Sequence, residues 1–277
     1  MKIAGAPISW GVCEVPGWGY QLPAERVLRE MREVGLTATE FGPDGFLPSD
    51  EIVEAAGLTA IGGFVPVLLH DPDHEPVLDL DRFVAAGADT LVLAAATGQD
   101  GYDTRPTLDA EGWQRLLTNL DKLDAQARER NLTAVLHPHV GTMVEQTAEV
   151  QRVLDGCGIG LCLDTGHLLI GGTDPVGLAE RSGDRIAHVH AKDVDDSIAA
   201  QVRAGRRTYT DAVAAGMYRP IGDGDVDFVA VAAALRRHDY DGWWVLEQDT
   251  ILSREPDDEG PVRDVRRSAD RLREILA

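Results

Sequence analysis

Cysteine, basic charge and long apolar runs are all scarce in this chain, and each shortage removes a class of protein. Cys13, Cys157 and Cys162 are the only cysteines, odd in number and without a CxxC pair. A disulfide framework and a thiolate zinc site are therefore not expected, and reduced thiols suit a cytoplasmic setting. Lys and Arg total 26 against 47 Asp and Glu, a formal net charge of −21. With no basic stripe to displace counterions from phosphates, a nucleic-acid partner is not expected. No apolar run approaches the roughly 18 residues of a membrane span, and MKIAGAPISW at the start reads as a first strand rather than a signal peptide. A GxGxxG loop is also missing after that strand, and the late GDGDVD at 222–227 is too acidic to cradle a phosphate.

What the chain does have is an apolar fraction of 44% over 277 residues, ample for one core. Strand-like runs fall near 2–9, 37–42, 58–69, 89–96, 132–138, 159–164, 185–191 and 242–248. Between them, 23–34, 79–87, 111–130, 145–155, 174–182, 226–238 and 262–276 carry apolar residues at helical spacing, as in Trp113, Leu116, Leu117, Leu120 and Leu123, with a weaker helical signal at 50–56. Eight strand and helix alternations without a low-complexity linker predict a single-domain (β/α)8 barrel over 1–277, in preference to an open doubly wound sheet. The stretch near 195–220 interrupts the pattern and is expected to form a helical lid.

Four of the strand-like runs end in groups that bind metals: AVLHPH at His137, LCLDTGH at Asp164, AHVHAKD at His190 and WWVLEQD at Glu247. The C-terminal ends of barrel strands share one face of the molecule, where (β/α)8 enzymes carry their chemistry. Two imidazoles and two carboxylates suit one divalent ion, Mn or Co first, with Zn, Fe or Mg also admitted. His188 points the same way as His190, and His139 competes with His137 for the same role. Glu145 is either a general base or an acid in the first turn of the following helix. Glu40, at the end of the second strand, offers a second base or a partner for substrate hydroxyls. His167 is a proton donor or a support for Asp164. Lys192 either moves a proton or belongs to a structural network with Asp193. Trp10 offers a sugar-pocket wall or fills the core. Asp223 and Asp225 read as turn residues.

These motifs resemble the xylose-isomerase-like sugar isomerase and epimerase superfamily of TIM barrels, and within it the inosose dehydratases. GAPISWG, TEFGPDGFLP and HPHVGT carry the more specific likeness, while CLDTGH, HVHAKD, RPIGDGDVDF and VLEQD extend it along nearly the whole chain. The ketose epimerases of that superfamily bind their metal through Glu, Asp, His and Glu from strands five to eight. His137 stands at the strand-five position here, which removes one of two basic carboxylates and favours an elimination over a two-base epimerisation. The resemblance implies a dehydratase acting on scyllo-inosose (2-keto-myo-inositol) in inositol catabolism, with an isomerase or epimerase as the alternative. The catalytic candidates are Glu145, His167, Lys192 and Glu40; the substrate contacts are Trp10, His139, Asp193 and Arg219. The implied partner is a small polyol or sugar, and the sequence leaves the oligomeric state open, homo-oligomer included.

Overall fold

The computed structural model describes residues 2–47 and 50–277; Pro48, the last residue of TEFGPDGFLP, lies outside them. Eight parallel strands close into a barrel: β1 (Lys2–Gly5), β2 (Ala38–Glu40), β3 (Thr59–Leu68), β4 (Thr90–Ala96), β5 (Thr133–Leu136), β6 (Gly160–Asp164), β7 (Ile186–Ala191) and, last in the ring, β10 (Trp243–Leu246). β10 pairs with both β7 and β1, which completes the circle. The first strand is shorter than its apolar run, because Pro7–Trp10 turns into a 3-10 helix closed by Gly11 in the left-handed region (φ 80°).

Period-two alternation sorts each strand between two environments. Leu91, Leu93, Ala134, Leu136, Leu161, Leu163, Val189, Trp244 and Leu246 join the large outer core against the helices. Their neighbours face inward and pack as two small layers, one of Ala4, Ala38, Ile61 and Val245, the other of Val92, Val135 and Cys162.

The outer ring comprises α1 (Ala24–Glu33), α2 (Asp50–Ala55), α3 (Leu80–Ala85), α4 (Ala110–Glu129), α5 (Thr147–Gly156), α6 (Thr165–Ile170), α7 (Pro175–Ser182), α10 (Phe228–Arg237) and α11 (Val262–Leu276). α4 shows why such segments are helical: Asp109 caps its first turn through Gly112 N–H at 2.8 Å, and Trp113, Leu116, Leu120, Leu123 and Ala127 line one buried face. α6 was not anticipated. The chain leaves β6 straight into it, with the Asp164 carboxylate accepting the His167 N–H at 2.7 Å.

The 195–220 stretch folds as α8 (Asp196–Arg203) and α9 (Tyr209–Ala214), its ends held together by a two-residue antiparallel ribbon of β8 (Asp193–Val194) and β9 (Tyr218–Arg219). Ala199, Tyr209, Ala212, Val213 and Met217 form a separate small core with Trp18 and Val140. No helix among the described residues is long and apolar enough to cross a membrane.

Candidate metal centre and active site

Each inward series ends, at or just past its strand end, in polar residues: Val135 leads to His137 and His139, Cys162 to Asp164, His188 to His190 and Lys192, and Val245 to Glu247 and Asp249. A side-chain period of two therefore delivers all of them to one end of the barrel. They are buried, and they touch. His137 Nε2 lies 3.1 Å from Asp164 Oδ2, His190 Nδ1 lies 3.1 Å from Glu247 Oε2 and 3.6 Å from Asp164 Oδ2, and His190 Nε2 donates to Glu40 Oε1 at 3.0 Å. The same Glu40 oxygen accepts His188 Nε2 at 2.8 Å. His139 belongs to none of these metal-capable groupings; its Nδ1 donates to the Val140 carbonyl at 2.7 Å, and its ring stacks on His167 with centroids 3.7 Å apart.

Lys192 Nζ stands among three carboxylates and an imidazole: Asp249 Oδ1 at 2.6 Å, Glu247 Oε2 at 2.9 Å, Asp164 Oδ2 at 3.7 Å and His167 Nε2 at 3.0 Å. Burial opposes its charge, but Asp249, Glu247 and Asp164 together hold its pKa well above the usual lysine range. Burial also pulls against ionisation of Asp164, yet Lys192 and His167 beside it keep that carboxyl well below its ordinary range. Glu247 is lowered by His190 and Lys192, against its own burial. Burial lifts Asp249 instead. Desolvation, with His137 and Lys192 nearby, pushes His139 well below the imidazole range, and His167 is depressed by burial and by His139 and Lys192.

The donor set fits a divalent cation. Glu40, Asp164, Glu247 and Asp249 crowd one buried site, where among the described residues Lys192 is the one buried lysine or arginine. His190 makes up part of the balance only while a proton stays on Nδ1, which a bound cation would displace: burial works against that proton, but Cys162, Glu247 and Glu40 carry the ring's pKa well above its ordinary range. Its Nδ1 and that of His137 are buried without a hydrogen-bond partner, although the His190 atom faces two carboxylates. An orphaned ring nitrogen between two carboxylates is what a cation of mixed N and O preference uses.

Part of the cluster opens onto a cavity of about 680 Å³, within the range of small-molecule sites, while Asp164 and His190 lie beneath its floor. Glu40, His137, His139, Lys192, Glu247 and Asp249 line its floor, and Ile8, Trp18, Phe41, Phe64 and Tyr102 are among its apolar wall residues. Above it, Tyr209 at the start of α9 donates to Asp249 Oδ2 at 2.5 Å and lies 3.0 Å from the Tyr218 hydroxyl.

Four residues expected at the site stand elsewhere. Glu145 turns away into a neighbouring cleft, where Arg105 holds it at 3.2 Å and Gly141 N–H at 2.8 Å, so it cannot reach the cluster as a base. Trp10 is fully buried between β1 and α1, its indole N–H on Glu30 at 2.8 Å. Asp193 accepts N–H bonds from Gly222, Gly224 and Val226 and ties the GDGDVD turn to β8 rather than binding substrate. Arg219 pairs with Asp195 in the ribbon, at 3.0 Å. Conversely, Asp249, Tyr209, Trp18 and Tyr102 went unremarked in the sequence. Only Asp249 had a signal there, two residues beyond Glu247 on the same strand face.

A family model described as Xylose isomerase-like TIM barrel matches residues 77–275. The chain belongs to that family. Relatives within reach of this xylose isomerase-like barrel include the rhizopine catabolism protein MocC of Rhizobium meliloti, 33% identical over 90% of this chain and 82% of its own. The inosose dehydratase of Geobacillus kaustophilus is also 33% identical, over 90% and 87%, and that of Lacticaseibacillus casei 30%, over 90% and 90%. Among solved structures, the D-allulose 3-epimerase from Methylomonas sp. superposes with a TM-score of 0.68 at 15% identity, covering 100% of this chain and 98% of its own. The 3-keto-D-glucoside 4-epimerase from E. coli does so at 0.67 and 19%, covering 99% of each. At such identities these two superpositions establish the fold and no more.

Proposed function

We propose that this protein is a metal-dependent hydro-lyase that dehydrates a cyclic polyol ketone, scyllo-inosose, to a trihydroxycyclohexanedione. The observation that carries the reading is the pairing in one cavity of a protonated Lys192 with a neutral His139, in a chain whose curated relatives include several inosose dehydratases. An elimination needs an acid and a base that differ in protonation at neutral pH.

His137, Asp164, His190 and Glu247 are the residues that would hold the ion, with Mn or Co as the preferred metals. When bound, it would polarise the substrate carbonyl and an adjacent hydroxyl and so acidify the carbon next to the carbonyl. The His139 proton sits on Nδ1, bonded to Val140, which leaves Nε2 as the free lone pair that takes the α proton. Lys192 then gives a proton to the hydroxyl on the next carbon as its C–O bond breaks, and water departs. The resulting enol tautomerises to the dione. Asp249 and Glu247 keep the ammonium aimed, and exchange with solvent removes the proton from His139 and restores one to Lys192 after the product leaves. The apolar wall limits water around the reacting carbons.

The test is purified, Mn-loaded protein with scyllo-inosose in deuterated water. Expected are an ultraviolet-absorbing dione and, in Lys192→Ala, continued exchange of the α hydrogen with dehydration lowered by on the order of a hundredfold or more. Return of an inverted alcohol with no water lost would replace this reading with an epimerase. Catalysis undiminished by complete chelation would remove the metal from it.

A further inference from the structure

We propose that Glu40 is a positioning residue that sets the ring orientation and tautomer of His190 for a divalent cation, and that it is not the base of the reaction. The inference rests on the metal-dependent reading above and assigns a role within that site. Both His188 and His190 direct Nε2 at one oxygen, Glu40 Oε1, at 2.8 and 3.0 Å. An ionised carboxylate only accepts, so both rings carry their proton on Nε2. For neutral His190 this leaves the lone pair on Nδ1, the atom that faces Asp164 and Glu247 and has no hydrogen-bond partner of its own. A carboxylate behind a ligating imidazole raises the basicity of the ring and fixes its angle. Glu40 is ill suited to take a proton from carbon, because two ring N–H groups already occupy Oε1.

The backbone is shaped around this contact. β3 carries one extra residue opposite the Thr39–Glu40 step, so that Thr39 pairs with Ala60 but Glu40 with Gly62. Bulges of this kind re-aim a side chain. Gly62 is required there, since a Cβ would fall 2.2 Å from the Thr90 carbonyl oxygen. His188, two residues before His190 on the same inner face, braces the carboxylate from the second side and explains why β7 carries two histidines.

Calorimetric titration with Mn²⁺ alone, beside steady-state turnover and α-hydrogen exchange, separates the two roles. Glu40→Gln is expected to bind Mn²⁺ about 10 to 100 times more weakly, with the turnover and exchange lost at limiting Mn²⁺ recovering as the metal is raised. His188→Gln should weaken binding in the same direction by less, because His190 keeps its carboxylate. Near-ultraviolet circular dichroism establishes that each variant is folded, and if Glu40→Gln is not, His188→Gln decides. Unchanged Mn²⁺ affinity in the folded variants would overturn the inference. So would a loss of exchange in Glu40→Gln that saturating Mn²⁺ does not repair, which would make Glu40 the base. Wild-type protein that binds no Mn²⁺ would end the metal reading and this inference with it, whereas an unaffected Glu40 variant on a metal-binding wild type would end only the inference.

Discussion

Asp164 carries two duties with its two oxygens. Oδ1 caps α6 through the His167 N–H, while Oδ2 faces His137, His190 and Lys192. Asn keeps a capping oxygen but loses the charge. Asp164→Asn is therefore expected to stay folded, with a thermal midpoint at neutral pH below that of the metal-free wild type because the charge beside Lys192 is lost, and to lose Mn²⁺ affinity by tenfold or more in calorimetry. Glu145→Gln, by contrast, alters a side chain held by Arg105 outside the cavity, and turnover should stay within a few-fold of wild type. The buried histidines also predict a pH response. His137, His139 and His167 are all depressed, chiefly by burial, so below the ordinary imidazole pKa of about 6.5 the unfolded chain binds protons that the folded chain refuses. That contribution falls as pH drops from about 6.5. The depressed carboxyls Asp164, Glu40 and Glu247 add stability that is present above about pH 4.5 and lost as pH falls through their folded-state pKa values. His190, held well above its ordinary range, acts in the opposite sense, one imidazole against three, so the metal-free protein should still lose thermal stability first between about pH 6.5 and 5 and again below about 4.5; a midpoint flat from pH 7 to 5 would contradict the assignment of neutral buried imidazoles.

At the scale of elements, the insertion meets the cavity floor through a buried polar link, Tyr209 to Asp249 and on to Lys192. Tyr209→Phe removes the hydroxyl and keeps the ring against Trp18 and Tyr102. Turnover is expected to fall by roughly tenfold or more, with little change in KM for the ketone, because one polar partner of Asp249 is lost while the cavity wall persists. An equal rise in KM would instead place the hydroxyl on the substrate. The strands and their ends were legible in the sequence, since period two governs them: once His190 and Glu247 are placed inward, Lys192 and Asp249 follow by spacing alone. That rule ends where the strand ends. Trp10 sits in a 3-10 turn after β1, and Glu145 lies beyond the loop that includes Gly141 (φ 76°). Neither inherits a strand's facing. Asp193 falls on the odd position beside Lys192, where alternation puts it away from the barrel axis. Trp18 and Tyr102 reach the cavity from loops, for which no spacing rule exists.

Over the whole molecule, 47 acidic side chains outnumber 26 basic ones, and many of the latter are tied in ion pairs across the helical ring, as Arg267 with Asp223 and Arg237 with Glu180. Four of those carboxylates are buried together in the site. Such a field repels phosphate backbones and favours cations. No binding to an abasic duplex or to single-stranded RNA is expected at low salt, by fluorescence anisotropy; a salt-sensitive complex would overturn it. The same field should make Mn²⁺ capture faster at low ionic strength than at high, measurable by stopped flow.

The β8–β9 ribbon brings the two ends of the insertion side by side one residue past Lys192. Everything between those ends is thus a hoop whose anchorage does not depend on its length, and lengthening a closed loop costs only about 0.6 kcal/mol per doubling. The left-handed turn at Gly205, where an added Cβ would meet nothing, lies at the far side of that hoop. Mutation can therefore lengthen, shorten or exchange the tip of the hoop while the eight strands, and the ligands at their ends, keep their register. In this architecture the strand ends hold the ligand-bearing floor in place, and the insertion is a separable piece of chain joined to it at one narrow seam.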